Sequence, residues 1–262
     1  MRNKAGKAVC LAVIAVSLTT LLLTEASGIR FSSSDLADGM VKMTVTRAIA
    51  SIVFIIVPIY LGYGIFGVKV KNTLFILPCA VVALNNLPVI ALACGDAAVT
   101  GDKRLIALLA AECFFIALFE ETAFRGVLTL MICRGANDRK TLFWRVAASS
   151  AIFGLTHLLN LFDGAGIGAT LMQIGYSFLI GGMCASLLLV CGSIFPCVIV
   201  HAVYDFCGAV VPTLGEGSVW STPEIVLTAT IGVIAAAVTV WTLLCHGTDN
   251  LSRLYGAQQT AK

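Results

Sequence analysis

The stretch "FFIALFEETAFRGVLTLMIC", residues 114–133, carries Glu120, Glu121 and Arg125 inside a run that is otherwise apolar. Two later apolar runs show the same kind of intrusion. One holds His157 with Asn160 three residues on, the other His201 with Asp205 four residues on. A carboxylate, two imidazoles and an Asp are a set suited to hydrolysis. A desolvated Glu can take a proton from water as general base and return it as general acid. One His can share or orient that water, and a second His with its partner can donate to a developing oxyanion. The same donors offer a different chemistry: two His and one or two carboxylates can hold Zn²⁺ with one position left for water. The HExxH helix motif, the GxSxG elbow and the P-loop are absent from the sequence.

Helical spacing sorts the roles. Glu121 and Arg125 are four residues apart with the Glu first, the favourable order for an intrahelical ion pair. In lipid such a pair neutralises much of its own charge. Glu120 is turned about 100° from Glu121 on an α-helix and faces another neighbour, so it is left as the carboxylate without a local partner. Glu112, two turns earlier, extends the polar path without an assigned role.

The elements that must position these groups follow from composition. The chain has 262 residues, 59% hydrophobic and 12% charged, with a mean hydropathy of +0.97. A soluble domain is nearer half apolar and a quarter charged, and one aqueous core cannot hide so much apolar surface. A soluble enzyme is thereby excluded, and the missing strand alternation excludes an outer-membrane barrel. The expected fold is all-α, a polytopic transmembrane bundle with about eight spans. The apolar runs are 8–24, 45–66, 73–94, 104–133, 143–162, 167–191, 194–212 and 224–245. The first run is short and follows Arg2, Lys4 and Lys7, as in a signal peptide. "LTEASG" is a poor cleavage site, so an uncleaved span is the reading adopted.

With the N-terminus inside, eleven Lys and Arg residues fall on the inner side and five on the outer. That bias sets both termini in the cytosol. The formal net charge of +3 is a topology signal, and no nucleic-acid partner is expected. The ten cysteines are scattered without a CxxC pair and read as small packing residues. Loops 25–44, 95–103, 134–142 and 213–223 are too short to fold alone. Residues 1–262 are therefore one integral-membrane domain. Asn85 and Asn86 beside Pro88 break the third run, either to line a cavity or to stabilise a kink.

Helical rise places the ionisable groups in depth. Measured from the inner end of each run, Glu120 lies about 20 Å deep, Arg125 about 12 Å, His157 about 21 Å, His201 about 10 Å and Asp205 about 16 Å. Three helices thus bring their titratable groups to a similar layer. Charge at the bilayer centre costs several kcal/mol and is normally paired and functional; a buried ion pair locking two helices is the plainer alternative.

In sequence order, "EETAFR" (120–125) matches EExxxR, "FGLTH" (153–157) matches FxxxH and "HAVYD" (201–205) matches HxxxN/D. Together these motifs resemble the CPBP intramembrane proteases. That family includes the type II CAAX prenyl endopeptidases and the bacterial "Abi" bacteriocin-processing and immunity proteins. The resemblance spans about residues 104–210, within a catalytic core of 104–212. It implies that Glu120 activates water with His157 beside it, that Glu121 and Arg125 support the site, and that His201 and Asp205 form the oxyanion side. The family is often labelled metalloprotease, while its eukaryotic members resemble metal-free glutamate proteases. No cofactor is favoured; if the reaction is metal-dependent, Glu120, His157, His201 and Asp205 would hold Zn²⁺. The fourth motif position is Asp where the prenyl endopeptidases carry Asn. An ionised Asp only accepts hydrogen bonds, so Asp205 must be protonated, orient His201 or bind metal.

The expected activity is an intramembrane endopeptidase acting on a membrane-associated peptide or protein in a bacterial plasma membrane. Its substrate would arrive laterally or from the cytosol. Two alternatives stand: a noncatalytic immunity or adaptor protein, and a proton-coupled transporter. A transporter predicts repeat symmetry between the two halves, and the ionisable groups show none.

Overall fold

The computed structural model describes residues 31–162 and 164–256. The expected span 8–24 lies outside the described residues, as do Arg2, Lys4, Lys7, Arg30 and Lys262 of the Lys and Arg count. Within the described residues the chain is mostly helical, and five helices are long and apolar enough to cross a membrane by length and composition.

Helix α1 (Asp35–Leu61) starts ten residues before the expected run at 45. Local chemistry explains the difference. Ser34 caps the helix by accepting from the Ala37 N–H, and Asp35 and Asp38 sit in its first turn, where the helix dipole favours acids. Asp38 also accepts from the backbone of Phe31 and Ser32 and pairs with Lys42 at 2.9 Å. The helix ends at Gly62, which takes φ 75° and donates back to Pro58 and Ile59, a left-handed cap that suits glycine.

The expected run 73–94 is broken. A 3₁₀ turn (Thr73–Phe75) leads into α2 (Ile76–Asn85), and α3 (Val89–Cys94) follows beyond the Asn86–Pro88 break. The amides are tied across helices: Asn86 donates to the Tyr204 carbonyl at 2.8 Å and Asn85 to Thr228 Oγ1 at 3.1 Å. Both also line the cavity described below, so kink and cavity coexist. The run 104–133 is helical throughout, as α4 (Lys103–Glu120), a π-helical segment (Glu121–Thr129) and α5 (Leu130–Cys133). Helix α6 (Arg139–Thr156) continues as a 3₁₀ turn (His157–Leu161). Helices α7 (Ile167–Cys191), α8 (Phe195–Leu214) and α9 (Thr222–His246) lie within two residues of the expected runs, and α10 (Leu251–Leu254) is a short C-terminal turn.

The all-α expectation needs one correction. Strands β1 (Ala97–Val99) and β2 (Gly215–Gly217) pair antiparallel, Ala98 opposite Glu216. Both lie in segments read as loops. The pair clips the start of α4 to the end of α8 at one end of the bundle.

Two neighbour sets define the frame. Helix α1 packs along α4, with Phe54 and Phe119 edge to face at 5.3 Å, and α6 packs along α7. The largest buried cluster lies at the end away from the strands, built from Ile65, Leu130, Leu187–Leu189, Ile194 and Leu254.

Candidate active site

Helix α4 delivers Glu120 as its last α-helical residue, and the π segment begins at Glu121. Single π turns inside α-helices recur at functional sites. The 100° turn per residue therefore stops applying at the motif. Glu121 and Arg125 nevertheless meet, Arg125 Nη1 to Glu121 Oε1 at 3.0 Å. Both are sealed from solvent, at 0% and 1% exposure. The guanidinium also lies over the Phe153 ring, 4.0 Å from its centroid, a cation–π contact.

This pair is not self-contained, which corrects the sequence reading. Glu121 Oε1 also meets His201 Nδ1 at 2.7 Å. A carboxylate accepts, so Nδ1 carries the proton. A chain Arg125–Glu121–His201 thus fixes one edge of the imidazole from behind. The other edge, Nε2, faces Asp205 Oδ2 at 3.4 Å and Glu120 Oε2 at 3.8 Å. Asp205 sits one turn from His201 on α8, as the four-residue spacing requires.

His157 is mounted differently. It stands where α6 tightens into a 3₁₀ turn. Its Nδ1 is 3.3 Å from the Gly154 carbonyl and its Nε2 3.5 Å from Ser177 Oγ. With Nδ1–H donating to Gly154, the hydroxyl of Ser177 donates to Nε2. Ser177 reaches this position because α7 comes very close to α6. A Cβ on Gly154 would lie 2.8 Å from the Ile174 carbonyl oxygen, so only glycine permits the approach. The turn is also tied to α7 by Asn160 donating to Gln173 Oε1 at 2.7 Å. Phe153 stands between the imidazoles, its ring centroid 5.4 Å from His157 and 6.2 Å from His201.

Glu120, His157, His201 and Asp205 line one cavity of about 1250 Å³; Glu121 and Arg125 do not border it. The four come from three separated stretches of sequence and three helical elements. Exposed lining residues mark where the cavity opens: Asp35 on α1, Met172 and Tyr176 on α7, Trp220 in the loop after β2, and Ile225 on α9. The opening lies toward the strand end of the bundle and sideways between α7 and α9. The expected approach was lateral or from the cytosol. The strand end is instead the side that the Lys and Arg count assigns to the exterior, not the cytosol.

Sequence reading missed Ser177 and Phe153. Ser177 sits among small residues of an apolar helix and reads as packing. Phe153 was visible only as the first letter of a motif. Among the described residues, no group of three or more His, Cys, Asp or Glu is arranged to hold a metal ion, which a tetrahedral zinc site would need, with donors about 2.0–2.2 Å from one point.

Residues 102–207 match a family model, the type II CAAX prenyl endopeptidase Rce1-like family. Neither a curated protein nor a solved structure matches the chain. The matched stretch begins at the Asp102 cap of α4 and ends two residues past Asp205. It therefore holds all three motifs and every residue that meets at the cavity wall through them, and over residues 102–207 the chain is similar to the Rce1-like type II CAAX prenyl endopeptidases.

Proposed function

We propose that the protein is a multi-pass intramembrane endopeptidase of a bacterial plasma membrane. It hydrolyses a peptide bond of a membrane-associated protein or peptide without a metal ion. One observation carries this reading: Glu120, His157, His201 and Asp205 converge on a single large cavity, and His201 is held from behind by Glu121.

In this reading Glu120 is the general base. It is partly open to the cavity, with its side chain 21% exposed, so water reaches it. Glu120 takes a proton from that water while His157 holds it in line. The nascent hydroxide attacks the carbonyl carbon, and the carbonyl oxygen becomes an oxyanion. His201, doubly protonated, gives one N–H to Glu121 and turns Nε2–H toward the oxyanion. Asp205 accepts from Nε2–H in the resting site and steers the ring, which suits an acceptor better than donation to an oxyanion. The tetrahedral intermediate then collapses, the C–N bond breaks, and Glu120 returns its proton to the leaving amine. The substrate reaches the cavity from the bilayer between α7 and α9 or from the strand end.

The test is cleavage of a membrane-peptide library followed by mass spectrometry, with wild type and Glu120→Gln in the same lipid and with and without chelator. Wild-type cleavage that is lost in Glu120→Gln and survives chelation is the expected result. Equal cleavage by both proteins removes Glu120 from the mechanism, and zinc-restored loss on chelation removes the metal-free step.

A further inference from the structure

The cavity has a second wall that the hydrolytic set does not use. Helix α9 and the break between α2 and α3 form it, through Glu224, Thr228, Asn85 and Asn86. Glu224 is 2% exposed. One of its oxygens, Oε2, accepts the Ile90 N–H at 3.2 Å. The other, Oε1, is buried and has no hydrogen-bond partner among the described residues. A buried carboxylate oxygen left unmatched costs free energy, and a native fold normally satisfies it or keeps it for a ligand.

The surroundings of Glu224 suit a bound cation. Glu224 sits in the first turn of α9, a 25-residue helix, where the dipole stabilises an anion. Around it are acceptors. Thr228, one turn on, receives the Asn85 amide N–H at 3.1 Å. That leaves Asn85 Oδ1 as the remaining acceptor of this side chain. The cavity as a whole is acidic: Asp35, Glu112, Glu120, Asp205 and Glu224 line it against Arg47 and the protonated His201 of the proposed mechanism. Arg47 is itself engaged, over the Phe119 ring at 5.6 Å.

We infer that Glu224, with Thr228 and Asn85, is a substrate subsite for a cationic group, an ammonium or guanidinium carried by the peptide. It defines specificity for the hydrolytic site in the same cavity. A cation in this subsite gives Oε1 its missing partner and lowers the negative potential of the cavity. An anionic group there meets the Glu224 carboxylate instead. The inference rests on the endopeptidase reading for the identity of the ligand as a peptide, but its test is read by binding.

The experiment uses the full-length Glu120→Gln protein in lipid nanodiscs, so bound peptide is not consumed. The probes are a labelled Leu/Ala peptide series of membrane length with one lysine walked along it, and the same series with acetyl-lysine. In at least one register the lysine peptide binds tenfold or more tightly than its acetylated twin. Adding Glu224→Gln, which keeps an acceptor for Ile90, narrows that ratio to within twofold. Equal binding of the two series overturns the subsite, and so does a ratio unchanged by Glu224→Gln. If Glu224→Gln does not accumulate, Thr228→Val and Asn85→Leu carry the test, and an undiminished lysine preference in both overturns the assignment. A preference that depends on Glu224 in a protein whose wild type cleaves nothing keeps the subsite and removes the protease.

Discussion

The two ends of the bundle are built on opposite terms. At the end away from the strands, the chain is bolted together by long-range hydrogen bonds. Asn250 donates to the Val190 carbonyl at 2.6 Å, Arg253 to Lys69 at 2.8 Å, and the Tyr255 hydroxyl to Leu130 at 2.8 Å. Leu188, Leu189, Ile194 and Leu254 are sealed completely. At the strand end, the same helices part around about 1250 Å³ of open space lined by carboxylates. The site lies where the two regimes meet. Glu121 and Arg125 belong to the packed side, and Glu120 and Asp205 face the open side. His201 spans the boundary, with Nδ1 in the packed half and Nε2 in the cavity. A hydrolytic site needs both: groups fixed in the productive geometry, and room for water and a peptide.

If that division holds, substitutions on the two sides have separable effects. The largest is at the open side. In the endopeptidase proposal Glu120→Gln removes the base and lowers cleavage by about 10²–10⁴-fold, while the melting temperature in detergent stays that of wild type. A matching fall in melting temperature would show that Glu120 belongs to the packed side after all. Next is the boundary. Arg125→Met leaves the sealed Glu121 carboxylate with His201 as its remaining partner, and breaking a buried pair costs about 3–5 kcal/mol. Thermal melting should show a large loss, and restoring neutrality with Glu121→Gln in the same chain should recover part of it. Further into the packed end, Asn250→Ala removes its hydrogen bonds to the Leu189 and Val190 carbonyls but leaves Val190 the Asn72 amide at 3.2 Å, at a cost of about 0.5–1.5 kcal/mol. Cleavage per folded molecule should be unchanged, because no cavity residue moves. A changed pH profile of cleavage in Asn250→Ala would break the comparison.

The packed frame was the more legible half. Runs 167–191, 194–212 and 224–245 are unbroken apolar stretches longer than anything a soluble core requires, and α7, α8 and α9 follow them closely. The same patterning hid the start of α1, because Asp35, Asp38 and Lys42 read as loop charges although they cap and pair within its first turns. Hydropathy also passes over the β1–β2 clip, three residues on each side held by backbone alone. Residue types and spacing singled out Glu120, His157, His201 and Asp205, which line one cavity, since an ionisable group in an apolar run stands out. They did not show that Glu121 serves both Arg125 and His201. That bond joins residues 80 apart in sequence, and the π segment that allows it leaves no mark in composition. Ser177 and Glu224 were invisible for opposite reasons. Ser177 is too ordinary in a small-residue helix to notice, and Glu224 sits at a helix start where an acid is expected.

The smallest expected effect lies outside both regimes, at the caps of the helices that carry the motifs. Asp102 accepts from the N–H groups of Leu105 and Arg104, and these bonds hold its carboxyl below the ordinary carboxylate range. Hydrogen bonds from Thr141 do the same for Asp138 at the start of α6. A carboxyl whose folded value is depressed contributes stability that is fully present above its unfolded value. That stability is lost as the pH falls through the folded value. The loss should therefore appear only below about pH 4, the unfolded range for Asp. Asn caps a helix about as well as Asp but does not titrate. The double variant Asp102→Asn with Asp138→Asn should match wild type at pH 7 to within a degree or so of melting. It should lose less than wild type between pH 5 and pH 3. A difference already present at pH 7, with parallel slopes below pH 4, would mean that the caps act through their shape alone, and that the two motif helices start without help from charge.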